Sequence, residues 1–178
     1  MLREFWLKLT DPRVGAVLRT LEAAGRALGD LAAAPASAPA FFRPLRGALE
    51  KAKASPSSPA AAEALAAAGE FADRLERFFA DASLHGAPPD RPVPEALARL
   101  QQACRGAGGL LSLSARARAL EETRGLCAGA RQALESAGRA AAADPSGFPQ
   151  NLKFSSIYSG LAAATDALER CAEALFRI

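Results

Sequence analysis

An all-α fold, an antiparallel bundle of five to six helices, is what this sequence predicts. Apolar residues recur at steps of three and four in every segment between turns, the period of one helix face. No segment shows the strict alternation of a strand. Alanine dominates the apolar content, and the only aromatics are nine Phe, one Trp and one Tyr, so the helices can approach closely. The 178 residues suffice for one domain with a real core. They also allow two small helical lobes, 1–84 and 93–178, joined by the Pro-rich loop 85–94.

Taken in order, Leu2, Phe5, Trp6 and Leu9 fall at i, i+3, i+4 and i+7 of a short N-terminal helix. It could lie on a membrane surface, with Arg3 and Lys8 towards lipid phosphates; the plainer reading, which we favour, closes one end of the core. Asp11-Pro12 starts the next helix as N-cap and first-turn proline. Its stripe is Val14, Val17, Leu21, Leu28 and Leu31, and residues 32–40 (AAAPASAPA) read as a loop. Residues 41–54 form a shorter helix with Phe41, Leu45 and Leu49 inward, broken by SPSSP at 55–59. A long helix from about Ala60 to Leu84 turns Leu65, Ala68, Ala72, Leu75, Phe79 and Ala82 to one side. Proline keeps 85–94 out of helix. Leu97, Leu100, Cys104, Ala107 and Leu111 then repeat at helical steps, weakened near the end by GAGG at 106–109. Ser112 or Ser114 can cap a helix running to about Ala143, with Ala117, Leu120, Cys127, Leu134 and Ala137 as its seam. After the turn DPSGFP (144–149), the closing helix places Ile157, Leu161, Ala164, Leu168, Cys171, Leu175 and Ile178 at alternating steps of four and three. A mean period of 3.5 is the seam of a left-handed bundle. At ~1.5 Å per residue this helix is roughly 40 Å long and spans the whole bundle.

The residue inventory restricts the chemistry. The net charge is +3, with +4 on residues 1–54 and −1 on the rest, and no Lys/Arg block resembles a nucleic-acid arm. No run approaches 18 apolar residues, and the start lacks the apolar middle of a signal peptide, so neither membrane insertion nor export is expected and the location reads as cytoplasmic. Cys104, Cys127 and Cys171 are far apart, odd in number and on apolar helix positions, which reads as buried free thiols. His85 is the single histidine and lacks partners for a triad or a zinc site. GAGGLLS (106–112) has neither the lysine nor the preceding strand of a phosphate loop. No enzyme and no cofactor is therefore expected. What remains is carboxylates. Asp73 and Asp166 each lie opposite the buried stripe of their helix, and one turn back stand Gly69 and Ala162, where an E-x-x-x-D pair would place a second acid.

On these residues the chain resembles the PhoU-like phosphate transport regulators, in particular the short branch associated with low-affinity phosphate permeases. The closing stretch LKFSSIYSGLAAATDALERCAEALFRI matches that family's last helix at Leu152-Lys153, Ile157-Tyr158, Leu161, Asp166, Glu169, Ala172 and Ile178, with Phe154 for its usual Trp. GEFADRLERFFADASLHGAPPDRPVPEAL (69–97) matches its E-x-x-A-D helix and following loop at Ala72-Asp73 and Pro88-Pro89-Asp90-Arg91. Together the two stretches cover about a third of the chain. The departures are Gly69 and Ala162 for acids, Pro92-Val93 for an acidic pair, Gln101, Gln102 and Arg105 in place of an Asp-rich helix, and GLCAGAR (125–131) where another acid motif would fall. The resemblance thus implies the fold, while the acid motifs that would bind metal survive only as the relic positions Asp73 and Asp166.

The function this implies is a non-enzymatic, cytoplasmic accessory or regulator of phosphate transport. It would act by contact with a protein partner, a phosphate permease or a signalling protein, and a homodimer is compatible with it. The alternative is a helical scaffold or adaptor bundle with no phosphate link. The contact is expected on the aromatic and basic N-terminal third, at Phe5, Trp6, Phe41, Phe42, Arg43 and Arg46, because Trp and Arg are typical interface anchors.

Overall fold

Asp11 starts the first long helix: its Oδ1 accepts from the backbone N–H of Arg13 at 2.9 Å and of Val14 at 3.3 Å, and Pro12 occupies the first turn. The computed structural model describes residues 10–56, 58–85, 91–143 and 148–178, with backbone only at 148–150. Among these residues there are six α-helices: α1 (Pro12–Ala33), α2 (Ala38–Lys53), α3 (Pro59–His85), α4 (Pro92–Gly106), α5 (Arg116–Ala143) and α6 (Phe148–Phe176). Short 3-10 turns follow α1 at Pro35–Ser37 and α4 at Ala107–Leu111, and no strand occurs among the described residues. The helix expected over Leu2, Phe5, Trp6 and Leu9 lies outside the described residues.

The contacts form a circuit, α1–α4–α5–α6–α3 and back to α1, with α2 laid over α1 and α3. Successive helices run antiparallel. A ring of five cannot alternate throughout, so one neighbouring pair is parallel: α1 and α3, whose C-terminal ends meet around Ala32, Phe78 and Phe79. The antiparallel α2 covers that pair. The most extensive contact joins α3 to α6, and the next long-range ones include α1 with α4, so helices from either side of the 85–94 segment interleave.

The stripes fold as their spacing requires. All five α1 positions, all six on α3 and all five over 97–111 are buried, and on α6 only Ile178, just past the helix end, is partly open. Four local expectations are corrected. The loop expected at 32–40 shrinks, because α2 already begins at Ala38, whose methyl packs into the core. The inward face of α2 is rotated by one residue: Ala38, Phe42, Leu49 and Ala52 are buried, whereas Phe41 and Leu45 are half-buried. This helix sits in the cleft between two others, and Phe41 closes the edge by standing at 87° to Phe42, ring centres 5.0 Å apart. Pro92 and Pro94 lie inside the first turn of α4, where the missing N–H would have no intrahelical acceptor anyway. At the start of α5 the Ser112 carbonyl, not a serine side chain, accepts from Ala115 and Arg116, and Ala117 is exposed.

Two arginines tie helix ends together. Arg13, in the first turn of α1, donates to the Ala52 and Lys53 carbonyls at 3.4 and 2.7 Å, closing the C-terminus of α2. Arg116, in the first turn of α5, lies 4.8 Å over the Phe176 ring and donates to its carbonyl at 3.5 Å. Cations there satisfy orphan carbonyls and oppose the negative end of the helix dipole.

Candidate functional site

Asp73 on α3 and Asp166 on α6 are exposed, with side chains 50% and 55% accessible. Each is followed three residues later by a glutamate, Glu76 and Glu169, so two carboxylates share one helix face. A single arginine from the neighbouring helix holds each pair. Arg46 on α2 places Nη1 3.5 Å from Asp73 Oδ1, and Nη2 3.1 Å from Glu76 Oε1 and 2.9 Å from Oε2, with hydrogen-bond geometry to Oε1. Arg131 on α5 donates through Nη1 to Asp166 Oδ1 at 2.9 Å and to Glu169 Oε2. The Glu169 hydrogen bond, ahead of that from Asp166, raises the Arg131 pKa. In both places a tethered guanidinium stands between carboxylates that a metal ion would otherwise have to share. Among the described residues no group of three or more His, Cys, Asp or Glu is arranged to hold a metal.

These clusters belong to a wider order on α6. One side carries Asp166, Glu169 and Glu173, facing Arg131 and Arg124 of α5; Arg124 reaches Glu173 at 2.6 Å. The other side carries Arg170 and Arg177, facing Glu70 and Glu63 of α3 at 2.8 and 2.7 Å. Acids point to one neighbour and bases to the other. Both ladders step by seven residues, so they set register as well as neighbour. Arg170, with Arg74 beside it, holds the Glu70 carboxyl below its usual range.

The residues expected to meet a partner are divided by the fold. Phe5 and Trp6 lie outside the described residues. Phe42 is corrected: at 0% exposure it is among the largest side chains of the core and is closed to any partner. Arg46 is committed to Asp73 and Glu76. Phe41 is half-buried at the edge of α2, and of the four described residues Arg43 alone is fully exposed. Arg43 shares an exposed stripe with Ala40, Pro44, Gly47 and Lys51, the outermost surface of α2.

The cysteines are buried and free. Burial pushes Cys127 and Cys171 up to about 12, and raises Cys104 well above its ordinary value, helped by the nearness of the other two thiols. Cys171 Sγ donates to the Ala64 carbonyl of α3 at 3.5 Å. None of the three is poised as a nucleophile.

Sequence reasoning missed Arg131 and Arg124 as members of this site, and it did not join Glu76 and Glu169 to the relic aspartates as clamped pairs. A signal was present in the repeated D-x-x-E spacing of 73/76 and 166/169. The arginines carry none, since they are 27 and 35 residues away from the acids they hold. No protein-family model, curated protein or solved structure matches the chain.

Proposed function

We propose that this protein is a non-enzymatic accessory or regulator of phosphate transport that acts by protein–protein contact. The phosphate link rests on the resemblance of residues 69–97 and 152–178 to PhoU-like regulators. The observation that best supports a contact role is the pair of arginine clamps. On the two helices that carry the resemblance, the surviving acids are neutralised by Arg46 and Arg131. That arrangement suits a bundle working through its surface, without a metal cluster. The face offered to a permease or signalling protein is the outer stripe of α2, where Arg43 and Lys51 favour an acidic or membrane-proximal partner segment.

The test is capture from the native cell under phosphate-rich and phosphate-poor growth, with the wild-type chain, Arg43→Glu/Lys51→Glu, and Asp73→Asn/Asp166→Asn. A phosphate permease or its regulator should be captured in amounts that follow phosphate supply. The charge reversal on α2 should lose it, and the Asp variant should keep it. Loss in the Asp variant alone would make the acid faces the working site. A partner unrelated to phosphate, unchanged by supply, would favour the scaffold reading.

A further inference from the structure

Five helices close the ring α1–α4–α5–α6–α3 without α2, because α1 and α3 touch each other directly. The presence of α2 has a topological cause. Since α1 and α3 are parallel, the chain must return along the bundle from Ala33 to Pro59, and α2 is that return. Of the six helices it has the smallest contact with the rest of the described residues.

Its seat is shallow. Four of its sixteen residues are buried, and of these only Phe42 and Leu49 are large. Pro44, inside the helix, has no N–H to give the Ala40 carbonyl, and Ser37 at the N-cap makes no side-chain cap bond. Under the C-terminal half of α2 runs a cleft of about 370 Å³, between Leu49 and Lys53 on one side and Leu65, Gly69 and Asp73 of α3 on the other. A Cβ added at Gly69 would meet nothing within 4 Å. Where the seat is open, the hold on α3 is ionic: Arg46 takes both Asp73 and Glu76. That hold is imperfect. Among the described residues Glu76 Oε2 is buried and makes no hydrogen bond, although Arg46 Nη2 lies 2.9 Å away. A carboxylate oxygen shut from water without a bond is a cost of the closed arrangement.

We propose that α2 is a hinged strap, which lifts as one unit from the α1–α3 seam while the ring of five stays folded, with Arg46 as its latch. Few buried apolar contacts and a broken hydrogen-bond ladder are what mark a segment that opens ahead of the whole molecule. Lifting draws Phe42 and Leu49 from the core, returns Glu76 Oε2 to water and leaves the acid pair of α3 without its arginine. The acid face of α3 thus has two states, latched and open. The open state is a minor population, visible in amide exchange and not in a bulk unfolding curve. The inference is independent of the phosphate reading.

The test is native-state hydrogen exchange of the full chain, followed by NMR in low urea. The α2 amides should exchange through one shared opening, at least about tenfold faster than the buried-face amides of α1, α3 and α6, and with a weaker urea dependence. Arg46→Gln should speed α2 exchange by roughly three- to tenfold and leave the ring amides unchanged. Raising the salt to ~1 M should speed α2 relative to the ring in the wild type and not in Arg46→Gln. Lys51→Gln, on the exposed stripe, should change nothing. If Arg46→Gln misfolds, the urea and salt dependence of the wild type decides. Exchange of α2 at the rate and urea dependence of the ring, α2 amides indifferent to both Arg46→Gln and salt, or an equal acceleration of the ring would overturn the proposal.

Discussion

Phe42 shows how one residue changes meaning between chain and fold. In the sequence it is half of an aromatic pair beside two arginines, which is how an interface anchor looks. In the structure it is fully buried between α2 and the rest of the core. Phe42→Ala should therefore cost about 3–5 kcal/mol of stability, with a large fall in the urea midpoint. Arg43→Glu, on the exposed stripe, should stay within about 0.5 kcal/mol of wild type in the same titration. The cysteines make a second residue-scale case. Unfolded thiols ionise near 9.0, whereas Cys127 and Cys171 are held at about 12 by burial. Between those values the unfolded chain releases protons and the folded one keeps them. The stability contributed by the protonated thiols is therefore fully present below pH 9 and lost as pH rises towards 12. Unfolding measured from pH 8 to 11 should show that decline, and Cys104→Ala/Cys127→Ala/Cys171→Ala should flatten it. Thiol labelling at neutral pH should be slow in the native protein and fast in denaturant.

At the scale of elements, α6 is the organising helix. Its apolar seam alone would accept several neighbours, since Leu and Ala are not selective. Its charges are selective: acids toward the arginines of α5, bases toward the glutamates of α3. Surface ion pairs stabilise little individually, so their value here lies in rejecting wrong registers. Glu70→Arg and Arg170→Glu should each lower stability, and the double exchange should recover part of the loss. The coupling read from the four urea curves should be about 0.5 kcal/mol. Because Arg170 holds Glu70 below its ordinary carboxyl range, the contribution of that pair is present at neutral pH and is lost as pH falls through the lowered value of Glu70. Loss of coupling in acid is the check.

For the whole molecule the decisive fact is interleaving. The largest interface, α3 with α6, joins segments on opposite sides of the 85–94 stretch, and α1 with α4 does the same. Residues 92–178 alone would keep α4, α5 and α6 but expose the α6 face that α3 covers. We expect this fragment to show weak helix signal and poorly dispersed amide resonances, and the full chain to unfold in one transition by far-UV circular dichroism. Two transitions in the full chain, or a well-folded fragment, would mean that the halves are stable lobes.

Among the described residues the sequence by itself determined the helices, the buried stripes of the long ones apart from Ala117, and the burial of the thiols, because these depend on spacing of 3.5 to 3.6 residues and on local caps such as Asp11-Pro12. It also marked Asp73 and Asp166 as unusual. It could not determine what those acids do. Each is answered by an arginine on another helix, and no local rule links residue 46 to 73 or 131 to 166. It misplaced Phe42 for a related reason: which side of a short, evenly apolar helix is inward depends on the shape of the cleft that receives it. Tertiary structure decides such matters because long-range pairing is selected by the geometry of the assembled faces, not by neighbours in the chain.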